Sequence, residues 1–261
     1  MKAHRAALAS VLLLGAPVSF AQQQSPRAEI LTWKVDGVVR KATVYAPSAS
    51  SPGGRAPLVL SFHGRGDTMD NFQHTDMHQA WPQAIVVYFQ GLPGRDGLPG
   101  WQVEKGQDND RDLKLVDTAL ASVRQSFKVD DTRVYSTGFS NGASFTYLLW
   151  AERPSVFTAF AAVAARLRPS VELKAPRPML HVAGERDPTI PFDVQQRAIE
   201  AARRANGANV QTSCGSGCTN WRGGAAPVTT WIHPGGHDYP DKTSDRIAQF
   251  FRDQPAKPAS P

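Results

Sequence analysis

The sequence predicts an α/β fold in which a mostly parallel sheet is covered by helices on both faces. Three observations lead there. Apolar, β-branched runs alternate along the chain with runs of helical spacing. One such alternation carries Gly138-Phe139-Ser140-Asn141-Gly142 between a strand-like and a helix-like run. Each residue with evident chemistry also follows a predicted strand, the end at which parallel sheets build their sites.

The elements can be justified in order. Residues 1–21 combine a basic start (Lys2, Arg5), an apolar stretch and a small-x-small end at Ser19-Phe20-Ala21, the pattern of a cleaved secretory signal. The apolar stretch is too short to span a membrane, and no cysteine stands nearby to take a lipid, so no membrane anchor is expected. Its loss removes two cations and no acid, lowering the formal charge from +6 to +4. So mild a balance, without a basic stripe, argues against a nucleic-acid partner. The remaining 22–261 suit one α/β domain with a Pro-rich C-terminal tail.

Within that domain, 30–35 and 38–45 read as strands around the hairpin signal Asp36-Gly37. After a Ser/Pro/Gly loop (47–57), the apolar run 58–62 ends at His63-Gly64-Arg65. A short helix is expected within 69–81, a buried strand over 84–89 and a Gly/Pro-rich loop over 91–100. Leu113, Val116, Leu120 and Val123 set the spacing of a helix over 110–127. The run 133–137 is then a strand and the run after Gly142 a helix, closed by Pro154. Strands at 157–165, 178–183 and 228–232 and helices at 193–206 and 244–252 complete the alternation.

A G-x-S-x-G between strand and helix is a nucleophile elbow: the turn is tight enough to strain the serine and expose its hydroxyl. Ser140 is therefore the candidate nucleophile. A base is expected on a loop after the last strand, where His237 follows two glycines, and His233 at the strand end is the alternative. Asp187, after the penultimate strand and followed by Pro188, is the candidate orienting acid, with Asp193 as its rival. The oxyanion donors would be the backbone N–H groups of Asn141 and Arg65. His63 is expected to bond to its own loop and take no part in proton transfer. Trp101 and Phe192 are candidate substrate-pocket residues, although a loop aromatic that covers the core explains Trp101 equally well.

With these residues in place, the chain resembles the polyhydroxybutyrate depolymerase/feruloyl esterase-like secreted α/β-hydrolases. The stretches that carry the resemblance are 57–64, 81–88, 130–142, 187–192 and 235–240, spread over roughly residues 35–250. The chain order Ser140, Asp187, His237 agrees with it. The resemblance implies a Ser-His-Asp carboxylic ester hydrolase with no cofactor, acting on small or oligomeric hydroxycinnamate or hydroxyalkanoate esters. Two departures stand out. Ala183-Gly184 replaces the family's usual His-Gly, with His181 two residues earlier, and Arg65 places a cation at the site's edge. No insertion is large enough for a lid. Acyl transfer to another acceptor, peptide cleavage and a non-catalytic binding role remain open at this level.

Two patterns mislead. Cys214-x3-Cys218 with His233-x3-His237 has zinc-finger spacing, but Pro234-Gly235-Gly236 breaks the helix such a site needs. No metal is expected, and Cys214 and Cys218 are read as a local disulfide closed by flanking glycines. Asp108, Asp110 and Asp112 alternate like a calcium loop, yet Leu113 and Ala119 occupy its glycine and glutamate positions.

Overall fold

The computed structural model describes residues 27–47 and 54–258. The expected signal segment, part of the loop over 47–57 and the last three residues of the tail lie outside them. The chain begins with an antiparallel hairpin, β1 (Arg27–Val35) and β2 (Val38–Ala46). Asp36 and Gly37 both take positive φ, 47° and 82°, as the tight turn between Val35 and Val38 demands.

Next come β3 (Ala56–Phe62), the short helices α1 (Met69–Phe72) and α2 (Met77–Ala80), and β4 (Ile85–Phe89). The loop expected over 91–100 contains a two-rung ribbon, β5 (Leu92–Pro93) with β6 (Pro99–Gly100). Helix α3 (Arg111–Ser126) leads into β7 (Val129–Phe139) and α4 (Asn141–Glu152). Strand β8 (Ala159–Val163), β9 (Met179–Gly184) and α5 (Phe192–Asn206) follow. The chain continues through β10 (Val210–Gly215), β11 (Cys218–Arg222), β12 (Val228–His233) and α6 (Thr243–Arg252).

Ten of these strands form one sheet in the order β1-β2-β4-β3-β7-β8-β9-β12-β11-β10. The six from β4 to β12 run parallel, and an antiparallel hairpin closes each edge. The order in which strands are added to the sheet reverses at β3, whose neighbours β4 and β7 follow it in sequence on opposite sides. Parallel sheets open a crevice at such a point.

Alternation along the strands divides the core into two layers. Leu58, Leu60 and Phe62 face α3 and α4, while Val59, Val86 and Tyr88 face the α1–α2 segment and α6. The four apolar residues that predicted α3 are each at most 3% exposed. Helix α4 is buried along nearly its whole length, so the elbow it begins is fixed from every side.

The stretch around the two cysteines, to which the sequence assigned no strand, forms the β10–β11 hairpin. All six residues of β10 are exposed, so no buried face left a pattern to read. Its turn carries the disulfide Cys214–Cys218, and the Arg203 guanidinium lies 3.5 Å over the Trp221 ring, fastening the hairpin to α5.

Candidate active site

Ser140 stands between β7 and α4 at φ 54° and ψ −111°, a conformation that side chains adopt only under constraint. The constraint is visible. The Ser140 N–H donates to the Val163 carbonyl at 2.8 Å, tying the turn to β8. A Cβ on Gly138 would lie 2.6 Å from the Gly142 carbonyl carbon, and one on Gly142 would run into the Phe62 carbonyl and reach 2.6 Å from the His63 oxygen. Both motif glycines are thus required by backbone contacts.

The acid loop after β9 and the histidine loop after β12 are bound together by main chain. Glu185 N–H donates to His233 O at 2.9 Å and Arg186 N–H to Gly235 O at 3.0 Å. That pairing brings His237 to Asp187 across 50 residues and to Ser140 across 97. His237 Nε2 is 2.9 Å from Ser140 Oγ, and its Nδ1 is 2.8 Å from Asp187 Oδ2. The Asp187 carboxylate is 0% exposed and the His237 ring 18%. Such burial is sustainable because Asp187 is fully bonded. Oδ1 accepts from the Thr189 and Ile190 amides at 2.8 Å each, and Oδ2 accepts from Gln195 Nε2 at 3.0 Å.

The two expected oxyanion donors are the backbone amides of Asn141 and Arg65. Asn141 N–H opens α4, so the positive end of that helix adds to it. Among the described residues, neither the Asn141 nor the Arg65 N–H meets an acceptor. The Arg65 amide is aimed through its neighbours. His63 Nε2 accepts from Gly91 N–H at 2.9 Å, so Nδ1 carries the proton and donates to Gly64 O at 2.6 Å. Burial lowers the pKa of His63 and keeps it neutral, which suits that assignment. In a trans peptide the C=O and the next N–H point oppositely, so holding Gly64 O directs Arg65 N–H the other way.

No family model matches the chain. Feruloyl esterase C of Emericella nidulans is 26% identical over 215 residues, covering 76% of this chain and 76% of that protein. Among solved structures, the acetyl xylan esterase of Aspergillus awamori superposes at a TM-score of 0.67 and 13% identity, covering 86% of this chain and 99% of the other. The ferulic acid esterase of Anaeromyces mucronatus, solved with ferulic acid, does so at 0.61 and 16%, covering 91% and 93%. The chain has the α/β-hydrolase fold and is similar in sequence to feruloyl esterases. Its class of activity is carboxylic ester hydrolysis.

Several other residues of this hydrolase can now be placed. Trp101 is 2% exposed and packs on Phe62 and Phe145, as a ring covering the core would, while its edge borders the cleft beside Arg65. Its Nε1 donates to His63 O at 2.9 Å, and Asn141 clamps its main chain, Oδ1 accepting from Trp101 N at 2.7 Å and Nδ2 donating to Trp101 O at 3.0 Å. Trp101 therefore braces the turn after β3 and the start of α4. Phe192 is half-buried as the first residue of α5. The Arg65 side chain is paired with Asp96 beside a cleft of about 710 Å³ that Gly100, Glu104, Arg111 and Arg168 help to line.

The rivals have other employment. His233 is 8% exposed and accepts from Gly235 N–H at Nδ1, 3.1 Å away. Asp193 is exposed in the first turn of α5 and pairs with Arg197 at 2.7 Å. It is not the helix cap, since that position belongs to Pro191. Of the alternating acids, Asp112 is fully buried against Arg40 at 2.7 Å, and Asp110 accepts from Gly106 N and Gln102 Nε2. Sequence reasoning missed Gln195 and the Thr189 and Ile190 amides. The Asp187-Pro188 turn was a usable signal for the amides. A glutamine inside a helix gives none.

Proposed function

We propose that this hydrolase is a secreted or periplasmic serine carboxylesterase acting on soluble feruloyl or related hydroxycinnamoyl esters. The observation that carries the reading is the continuous line of hydrogen bonds from Ser140 Oγ through His237 to Asp187. Ser140 Oγ attacks the ester carbonyl while its proton passes to His237 Nε2. Asp187 holds the Nδ1–H tautomer and balances the imidazolium that forms. The Asn141 and Arg65 amides receive the negative charge on the tetrahedral oxygen, the largest electrostatic contribution such sites make. His237 returns the proton to the leaving alcohol, leaving Ser140 acylated. Water then adds by the same path, giving its proton to His237 and releasing the carboxylic acid and free Ser140.

The acyl preference rests on the relatives: one is named a feruloyl esterase, and a structural neighbour was solved with ferulic acid. Hydroxyalkanoate esters are the alternative substrate class. Export is supported by the pattern of residues 1–21 and by the Cys214–Cys218 disulfide, which favours an oxidising compartment. Among the described residues no helix is long and apolar enough to cross a membrane.

The test compares the native protein with Ser140→Ala on a short-chain nitrophenyl ester, methyl ferulate and a hydroxybutyrate oligomer. The reading expects Ser140→Ala to lose about 10⁴-fold or more in kcat/KM and methyl ferulate to be preferred to the oligomer. Undiminished turnover by Ser140→Ala would remove Ser140 as nucleophile. Preference for the oligomer would move the substrate to the hydroxyalkanoate class.

A further inference from the structure

Behind Asp187 lies a set of buried polar groups that the mechanism above does not use. Tyr147 on α4, His181 on β9 and Gln195 on α5 are each 0% exposed. Tyr147 Oη is 2.8 Å from His181 Nδ1. Gln195 Nε2 is committed to Asp187 Oδ2 at 3.0 Å and to Ile190 O at 2.8 Å. Two atoms are left over: His181 Nε2 and Gln195 Oε1 are both buried with no partner within hydrogen-bond length. Gln195 is also the side chain that opposes the effect of burial on His181. Unpaired buried donors and acceptors are costly, so a lone imidazole nitrogen and a lone amide oxygen on neighbouring side chains have reason to pair.

We propose that Tyr147, His181 and Gln195 form a polarity relay that orients the amide holding Asp187, and are positioning residues for ester hydrolysis. The argument rests on the triad reading above. It is a matter of donors and acceptors. Gln195 must present Nε2–H to Asp187, because its Oε1 there would oppose a carboxylate oxygen. Its Oε1 then points away and needs a donor. His181 supplies one at Nε2 only in the tautomer whose Nδ1 is a bare acceptor. Tyr147 selects that tautomer by donating its hydroxyl proton to Nδ1. Burial keeps His181 neutral and Tyr147 protonated, as the relay requires.

Each link thus fixes the polarity of the next. Without the Tyr147 hydroxyl, His181 can place its proton on Nδ1 and turn a lone pair towards Gln195 Oε1. The amide then gains nothing from its present orientation, and Asp187 Oδ2 loses a fixed donor beside the one from His237. His181 shares a sheet face with Ala183, two residues on, where the family's usual histidine would stand. The departure noted in the sequence therefore puts an imidazole further down the strand, behind the acid.

The test is a double-mutant cycle with Tyr147→Phe and Gln195→Met, measuring kcat and KM separately on whichever ester the native protein cleaves. Each single variant is expected to lower kcat about 3- to 10-fold with KM within about 2-fold, and Tyr147→Phe to add less than about 1.5-fold in the Gln195→Met background. Native kcat in either single variant, or effects that multiply, would overturn the relay. If Gln195→Met does not fold, Tyr147→Phe alone decides by the NMR signal of the proton between His237 Nδ1 and Asp187. A shifted signal supports the relay, and an unmoved one overturns it. Ser140→Ala assayed alongside separates the two readings. An inactive Ser140→Ala with a fully active Tyr147→Phe defeats the relay alone, whereas an active Ser140→Ala defeats the triad.

Discussion

Replacing Ser140 by glycine should leave a protein more stable than replacing it by alanine, the reverse of the usual order. The reason is the backbone at φ 54° and ψ −111°, which the contacts around the elbow impose whatever the side chain. A residue with a Cβ held in so sparsely populated a region loses about 1–3 kcal/mol. Alanine keeps that Cβ, and glycine does not. Against this, glycine gives up about 0.5–1 kcal/mol relative to alanine through the greater freedom of its unfolded chain. Both variants lose the hydrogen bond from Ser140 Oγ to His237, so that loss cancels in the comparison. The balance favours glycine by about 1 kcal/mol, or roughly 2–4 °C in Tm for a domain of this size. Thermal unfolding followed by circular dichroism reads the difference, and an ester assay checks that both variants are inactive. A Ser140→Gly protein that melts below Ser140→Ala would refute the claim that the elbow stores strain.

Three further outcomes follow from the geometry. Burial holds His181 at about 4 against 6.5 for an ordinary histidine, and lowers His63 and His78 as well. The unfolded chain therefore takes up protons between pH 6.5 and 4 that the native protein refuses. Stability falls as pH drops through that window, by about 3 kcal/mol for His181 alone; urea midpoints at pH 7 and pH 4.5 should show it, and equal midpoints would contradict it. Asn141→Ala removes the clamp on Trp101 and should cost about 10- to 100-fold in kcat. Arg65→Ala keeps its backbone donor and loses only an exposed ion pair, so kcat on neutral esters should stay within about 3-fold; steady-state kinetics in which Arg65→Ala suffers more than Asn141→Ala would reverse the assignment. Replacing Cys214 and Cys218 by serine opens a very short loop and should lower stability by about 2 kcal/mol while leaving kcat/KM unchanged.

The main parts of the site were legible because the α/β architecture ties position to chemistry. Ser140, Asp187 and His237 each follow an apolar strand signal, and Gly138 and Gly142 mark where the backbone must approach closely. The fold was legible for the same reason: two-sided burial gives continuous apolar strands that cannot be mistaken for surface. What stayed hidden has physical causes. Trp101 ends a Gly/Pro-rich loop, and no periodicity tells whether such a ring turns in or out. β10 is exposed throughout, so its pairing with β11 left no hydrophobic alternation. Asp108, Asn109 and Asp110 run through three successive left-handed conformations before α3, a path permitted by their short polar side chains but not dictated by them. Gln195 was invisible because its partner Asp187 lies outside α5 and its other contacts depend on tertiary packing.

The most direct test of the account is to trap the covalent intermediate. Protein incubated with a fluorophosphonate, or quenched in acid during turnover of a slow ester, would be digested and mapped by mass spectrometry. The account predicts one equivalent of label on the peptide containing Ser140, matching the loss of esterase activity, with no label in Ser140→Ala and sharply slowed labelling in His237→Ala. Stoichiometric label on any other residue, or inactivation with Ser140 unmodified, would contradict it.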